Sequence, residues 1–198
     1  MKMKKGLIIT IATLCVIGLG AAGVFVAASR GLFAHNEANG LILYGSDQQL
    51  GEDKKTEADN TEYVYQTNVK IVGDNLMIIR EADMNEFCKV GIVNFINEKE
   101  ECEPVTEIAS AQNTPLYYAK KTKSSITVAG KAMNVIAGKD YIIGNGRMFA
   151  EGYLVVSDSV YKDIQEEETG MMVMKLNKAA DQEIGRCQYK LVQLIDIP

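Results

Sequence analysis

The stretch Val16-Ile-Gly-Leu-Gly-Ala-Ala-Gly23 can be read in two ways, and the choice decides the fold. It spells G-x-G-x-x-G across Gly18, Gly20 and Gly23. A dinucleotide-binding unit uses that pattern to end a strand, bring backbone close to a pyrophosphate and open a helix. The same letters also fit inside a membrane-spanning helix, and the flanks favour that reading. Residues 7–28 carry no charge. At about 1.5 Å per residue, a helix of that length covers a hydrocarbon core of about 30 Å. An acid expected about 20 residues beyond the glycines to hold a ribose is absent from Leu41-Ile-Leu-Tyr44. No alternation of strands with long crossover helices follows, as a parallel nucleotide-binding sheet would require.

In a membrane helix, Gly18 and Ala22 have the small-xxx-small spacing that lets a second helix approach closely. They are the expected helix-packing residues, toward other transmembrane helices or a second copy of the chain. Lys2, Lys4 and Lys5 precede the run and Arg30 follows it, which holds the N-terminus in the cytoplasm and sends the rest outside. A cleaved signal peptide is the rival, with Ala27-Ala28-Ser29 as its exit. The apolar run exceeds the usual signal core, and Leu14 stands before Cys15 where a lipoprotein signal carries a small residue. The expected organisation is therefore a cytoplasmic basic tip (1–6), a single N-terminal transmembrane helix (7–28), a juxtamembrane segment with a polar linker (29–60) and an extracytoplasmic domain (61–198).

That domain has the length for one core without disulfide support. The net charge of −5 and the lack of a basic stripe argue against nucleic acid as a partner. Lys120, Lys121 and Lys123 read as a short solvated cluster. Cys88, Cys102 and Cys187 are odd in number and lack CxxC spacing, which speaks against zinc and leaves one disulfide plus one thiol open. Cys15 reads as a small apolar filler of the membrane run.

Residues 46–60 are almost wholly polar and read as a flexible connection that could be deleted at little cost. Residues 63–72 and 76–79 form two β-rich runs around Gly73-Asp74-Asn75, a hairpin pattern. Residues 82–90 place Met84, Phe87 and Cys88 at helical spacing. Two short strands flank Ala129-Gly130-Lys131, and residues 153–156 form another. Ser157 or Asp158 caps a helix through about Glu167, ended by Gly170. A strand over 172–176, a helix over 178–187 and a closing strand over 189–195 complete a strand-rich α+β domain with two or three short helices.

Chemistry is sparse. His35 is the only histidine and is remote in sequence from the outer cysteines, so it reads as a juxtamembrane polar residue. Glu100-Glu101 and Glu166 to Glu168 read as solvated acids. Met171, Met172 and Met174 read first as core, with an adaptable peptide-binding surface as the alternative. No catalytic, metal or cofactor residues are expected, and neither hydrolytic nor nucleotide-dependent activity.

Three segments carry a family resemblance: Met77-Ile-Ile-Arg-Glu-Ala-Asp-Met-Asn85, the Gly-Lys hairpin within residues 126–136, and Gly152-Tyr-Leu-Val-Val-Ser-Asp-Ser-Val-Tyr161. Together they resemble the extracytoplasmic domain of FtsX-like ABC transporter permeases, above all the bacitracin-export type of Gram-positive bacteria. The resemblance implies a non-catalytic outer domain that binds or senses a peptide or lipid-linked ligand. It also implies a cytoplasmic ABC ATPase as partner, and that the chain is a fragment of a longer permease or a single-pass relative. The alternative is a stand-alone single-pass envelope protein acting as sensor or assembly factor.

Overall fold

The computed structural model describes residues 25–27, 38–73, 75–147, 149–182 and 191–198. Its frame is a nine-stranded mixed sheet in the order β1-β14-β2-β13-β3-β4-β12-β7-β10. The members are β1 (Phe25–Ala27), β2 (Gly40–Gly45), β3 (Thr61–Val72), β4 (Leu76–Arg80), β7 (Leu116–Ala119), β10 (Ile136–Ala137), β12 (Gly152–Val156), β13 (Glu168–Leu176) and β14 (Leu191–Ile195). A small sheet of β5 (Val93–Ile96), β6 (Cys102–Pro104) and β11 (Tyr141–Ile143) lies beside it, and β8 (Ser125–Val128) pairs with β9 (Lys131–Asn134) as a hairpin. The α-helices among the described residues are α1 (Asp47–Thr56), α2 (Glu81–Val90) and α3 (Asp158–Asp163).

Strand alternation gives the sheet two apolar faces. On one face Met77, Ile79, Tyr153, Val155, Met171 and Val173 pack with Met84, Phe87 and Cys88 of α2. The other face is split between two clusters. Leu41, Leu43, Met172 and Met174 receive Leu50 of α1, while Ile78, Leu154 and Val156 receive Tyr161 of α3 and Ile126 and Val128 of the hairpin. The methionines of β13 are therefore core on both faces, with Met171 and Met172 at 0% exposure, and offer no surface to a peptide.

Several expectations hold. The β3–β4 hairpin forms antiparallel pairs from Lys70↔Ile78 to Val72↔Leu76 around Gly73 and Asn75, both at positive φ. α2, the β8–β9 hairpin, β12 and the Ser157 cap of α3 stand where the sequence puts them.

Others need correction. Residues 46–60 are not a linker. Ser46 and Gln49 form a reciprocal capping box that starts α1, and Leu50 anchors the helix at 0% exposure. Residues 40–45 form β2, a buried interior strand between β14 and β13. The domain thus begins well before residue 61. α3 stops at Asp163, and Gly170 lies inside β13, where a Cβ would meet the Gly45 carbonyl oxygen and Leu50 Cδ1 at 2.7 Å. That glycine makes room for α1. Of the helix expected over 178–187, the described part is a 3-10 turn at Ala180–Gln182.

The proposed membrane helix is corrected at its end. Phe25–Ala27 form β1, paired in parallel with Leu191, Val192 and Gln193, and a backbone that pairs in a sheet cannot also continue a bilayer-crossing helix. Gly18, Ala22 and His35 lie outside the described residues. Among the described residues, no helix is long and apolar enough to cross a membrane.

Candidate functional site

The lysine cluster sits at a gap in the sheet. β7 pairs antiparallel with β12 as far as Ala119↔Gly152 and then leaves the ladder at Lys120. Its continuation, residues 120–124, crosses over to β8 with Lys120, Lys121 and Lys123 exposed. Opposite stands the β3–β4 turn. It is held by an Asn75 N–H to Gly73 carbonyl bond of 2.9 Å and, from the β12 side, by a Glu151 N–H to Asn75 carbonyl bond of 2.8 Å. Between turn and loop lies a groove of about 710 Å³, within the size range of small-molecule sites.

Its walls combine two chemistries. Val72, Leu76, Ile126 and the Tyr117 ring supply apolar surface, and Lys120, Lys121, Lys123 and Arg147 supply positive charge, against which the described residues set the one carboxylate of Glu151. Lys123 Nζ is 6.0 Å from the Tyr117 ring centroid, at the outer limit of a cation–π contact. Tyr117 lies across Gly152, whose missing Cβ would be 3.2 Å from the ring and from its hydroxyl. Burial, and secondarily the charge of Glu151, raises the Tyr117 phenol above its ordinary pKa, so it faces the groove neutral. Arg147 pairs with Asp140 and donates to the Glu151 carbonyl at 3.3 Å.

A second depression of about 500 Å³ adjoins the first, with Lys120 and Arg147 lining both. Its far wall is the turn from β5 to β6, bringing Asn97, Glu98, Glu100 and the half-buried Cys102. The Asn97 amide is tied to Glu101 at 3.1 Å and Glu103 at 2.8 Å, which shapes that turn.

A second polar cluster has a different character. Asp83, at the first turn of α2, accepts from Arg80 Nε at 2.6 Å and from the Tyr65 hydroxyl at 2.7 Å, and Arg80 also donates to Thr67 at 2.6 Å. Lys70, buried on β3, donates to the Tyr161 and Ile164 carbonyls at the end of α3, at 2.9 and 2.5 Å. Cationic ends close helix C-termini favourably. Each of these charges is used by the fold.

Cys88 and Cys102 are free thiols, and burial pushes Cys88 up to about 11, leaving it protonated at neutral pH. Cys15 and Cys187 lie outside the described residues. Glu100, Glu101, Glu167 and Glu168 are exposed, as read from sequence, while Glu166 is half-buried. Among the described residues, no group of three or more His, Cys, Asp or Glu could hold a metal ion. The sequence reading found the lysines and missed the groove. Gly152 reaches it through its pairing with Ala119, and Arg147 from the loop before β12.

A model of an uncharacterised lipoprotein family matches residues 38–198. The chain belongs to this lipoprotein family. Membership makes it an envelope-associated protein held at a membrane. The 1.5 Å crystal structure of a candidate lipoprotein from Bacillus anthracis is similar in fold, with a TM-score of 0.70 and 18% identity over 81% of this chain and 100% of that one. No curated protein matches the chain. These findings overturn the resemblance to ABC transporter permeases. Its three segments are a hairpin, a strand running into a helix and a Ser-capped helix, elements that local folding rules produce in many proteins.

Proposed function

We propose that this lipoprotein-family member is a stand-alone, non-catalytic binding domain, displayed outside the membrane by a lipid on Cys15, with the lysine groove as its recognition site. The observation that carries the reading is the charge imbalance of the groove. Among the described residues, four cationic side chains line the groove with one carboxylate, and Lys120, Lys121 and Lys123 make no ion pair. A concave, partly apolar site with uncompensated cations suits an anionic ligand.

Family membership changes how the start of the chain reads. Lys2, Lys4 and Lys5 followed by the apolar residues 7–14 have the proportions of a signal segment, and Cys15 directly after them offers the thiol for lipid attachment. The pairing of β1 favours an anchor upstream of Phe25. Leu14 departs from the usual small residue before the lipidated cysteine, and membership of a lipoprotein family supports Cys15 as the anchor.

Two experiments test the reading. Metabolic labelling with an alkyne fatty acid should mark the wild type and leave Cys15→Ala unlabelled. An unlabelled wild type retained in membranes would exclude the lipid. For the groove, the full chain in neutral detergent should be stabilised against heat by small polyanions and unaffected by neutral glycans. Replacing Lys120, Lys121 and Lys123 together by Glu should remove the gain. An undiminished gain would place the ligand elsewhere.

A further inference from the structure

We infer that the β9–β10 edge of the domain rests on an anionic lipid bilayer, with Ile136 as the side chain that enters the interface. Residues 120–139 hold five lysines and no Asp or Glu, in a chain whose net charge is −5. All five, Lys120, Lys121, Lys123, Lys131 and Lys139, are exposed. In the same stretch lies Ile136, the exposed large hydrophobic side chain among the described residues, at 53%. The fold turns this stretch into an edge. β10 is the last strand of the large sheet and pairs on one side, with Leu116 and Tyr117 of β7. The Ile136 and Gly138 N–H groups donate to the Pro115 and Tyr117 carbonyls, which turns the Ala137 N–H outward. Ala132 and Ala137 are exposed beside Ile136, and Lys131 and Lys139 bracket all three in the chain.

A bilayer fits this edge better than other occupants. The chain belongs to a lipoprotein family and is held at a membrane, so a lipid surface is present at high effective concentration. Headgroups move in the plane beneath a diffuse positive charge, so a bilayer asks for no particular spacing of ammonium groups. An apolar side chain bracketed by lysines suits the interface, with carbon at the acyl boundary and charge among the headgroups. Lys139 shows the posture, its Nζ 4.7 Å from the Phe95 ring centroid. A soluble polyanion would engage the lysines and leave Ile136 in water, and a second copy would set lysine against lysine. Lys131 and Lys139 do not line the groove, so this contact goes beyond the ligand site proposed above and is separate from it.

The chain contains no tryptophan, so the fluorescence of Ile136→Trp reports on this position alone. The full chain is measured in phosphatidylglycerol vesicles carrying acyl-brominated lipid, in phosphatidylcholine vesicles with the same brominated fraction, and in neutral detergent. In phosphatidylglycerol the emission should shift to the blue and be quenched by bromine, and in phosphatidylcholine it should be quenched far less. Adding Lys131→Glu and Lys139→Glu should cut the quenched population at least about tenfold, while Lys54→Glu on the remote helix α1 leaves it unchanged. Heat stabilisation by small polyanions should survive the Lys131 and Lys139 substitutions, which leave the groove lysines intact, so failure of this contact and failure of the groove reading are told apart. Unquenched emission in phosphatidylglycerol would overturn the inference. So would quenching indifferent to the lysine substitutions, and so would a blue shift in detergent that grows with protein concentration, the mark of a second copy on the edge.

Discussion

Around Tyr161 each cation ends on a partner, whereas at residues 120–123 three lysines face water and a groove. Arg80 bonds Asp83 and Thr67 and lies 5.2 Å from the Tyr161 ring centroid, and Lys70 bonds two carbonyls and lies 4.5 Å from the same ring. Burial is expensive for an unpaired charge, so charges inside the fold acquire partners. A solvated lysine has no such requirement, and its charge stays available to a ligand. The contrast separates charges that hold the fold from charges free to bind. Substitutions in the two regions should therefore move different observables.

Asp83→Ala should have the largest effect on stability. It strips the partner from Arg80 and the Tyr65 hydroxyl at a site where Asp83 is only 4% exposed. We expect about 2–4 kcal/mol lost in urea unfolding, below the cost for a wholly buried pair because part of Arg80 reaches water. A loss under about 1 kcal/mol would show that the cluster behaves as an ordinary surface pair. Lys70→Met keeps much of the side-chain volume and removes both bonds to the end of α3, so about 1–3 kcal/mol should go. Unchanged stability would mean that water satisfies those carbonyls.

The Tyr161 phenol gives the paired region a pH signature. Burial, and secondarily the charge of Glu168, raises it from 10.0 to about 12. The fold thus favours the neutral phenol. Its contribution is complete below pH 10, where the phenol is neutral in both states, and is lost as pH rises from 10 to 12. The stability difference between wild type and Tyr161→Phe should therefore shrink across that interval. A constant difference would show that the phenol is not held in its neutral form.

How much of this was legible in the sequence differs between the same two regions. Asp83 near a helix start, the Ser157 cap and the β3–β4 turn are local signals, set by residues a few positions apart. Lys120, Lys121 and Lys123 were visible as a cluster, but their groove depends on β12 lying between β4 and β7, and nothing local encodes that. α1 was missed because its only buried residue is Leu50 and a polar helix with one anchor lacks an amphipathic stripe. Residues 40–45 were missed for the opposite reason: a short, continuous apolar run does not by its period distinguish a buried strand from other buried segments. The permease resemblance failed because its matching segments were all of the local kind.

Arg147 lies between the two classes, paired with Asp140 yet lining the groove. Arg147→Ala should cost about 1 kcal/mol of stability and also reduce the thermal stabilisation by small polyanions. A change in stability alone would assign it wholly to the fold.

The smallest expected change in stability carries the most information about the groove. Lys121 is exposed and has no ion pair among the described residues. Lys121→Glu should therefore alter unfolding by no more than about 0.5 kcal/mol, and it could even stabilise the domain by relieving repulsion from Lys120 and Lys123. Binding of small polyanions should respond far more, because the substitution replaces an attraction to the anion with a repulsion inside a concave site, where field lines are concentrated. Raising the salt concentration should reduce the difference between wild type and variant in step with Debye screening. A salt-independent loss of binding, or a loss of stability approaching that of Asp83→Ala, would mean that Lys121 supports the fold after all, and the separation between structural and available charge would fail at its clearest position.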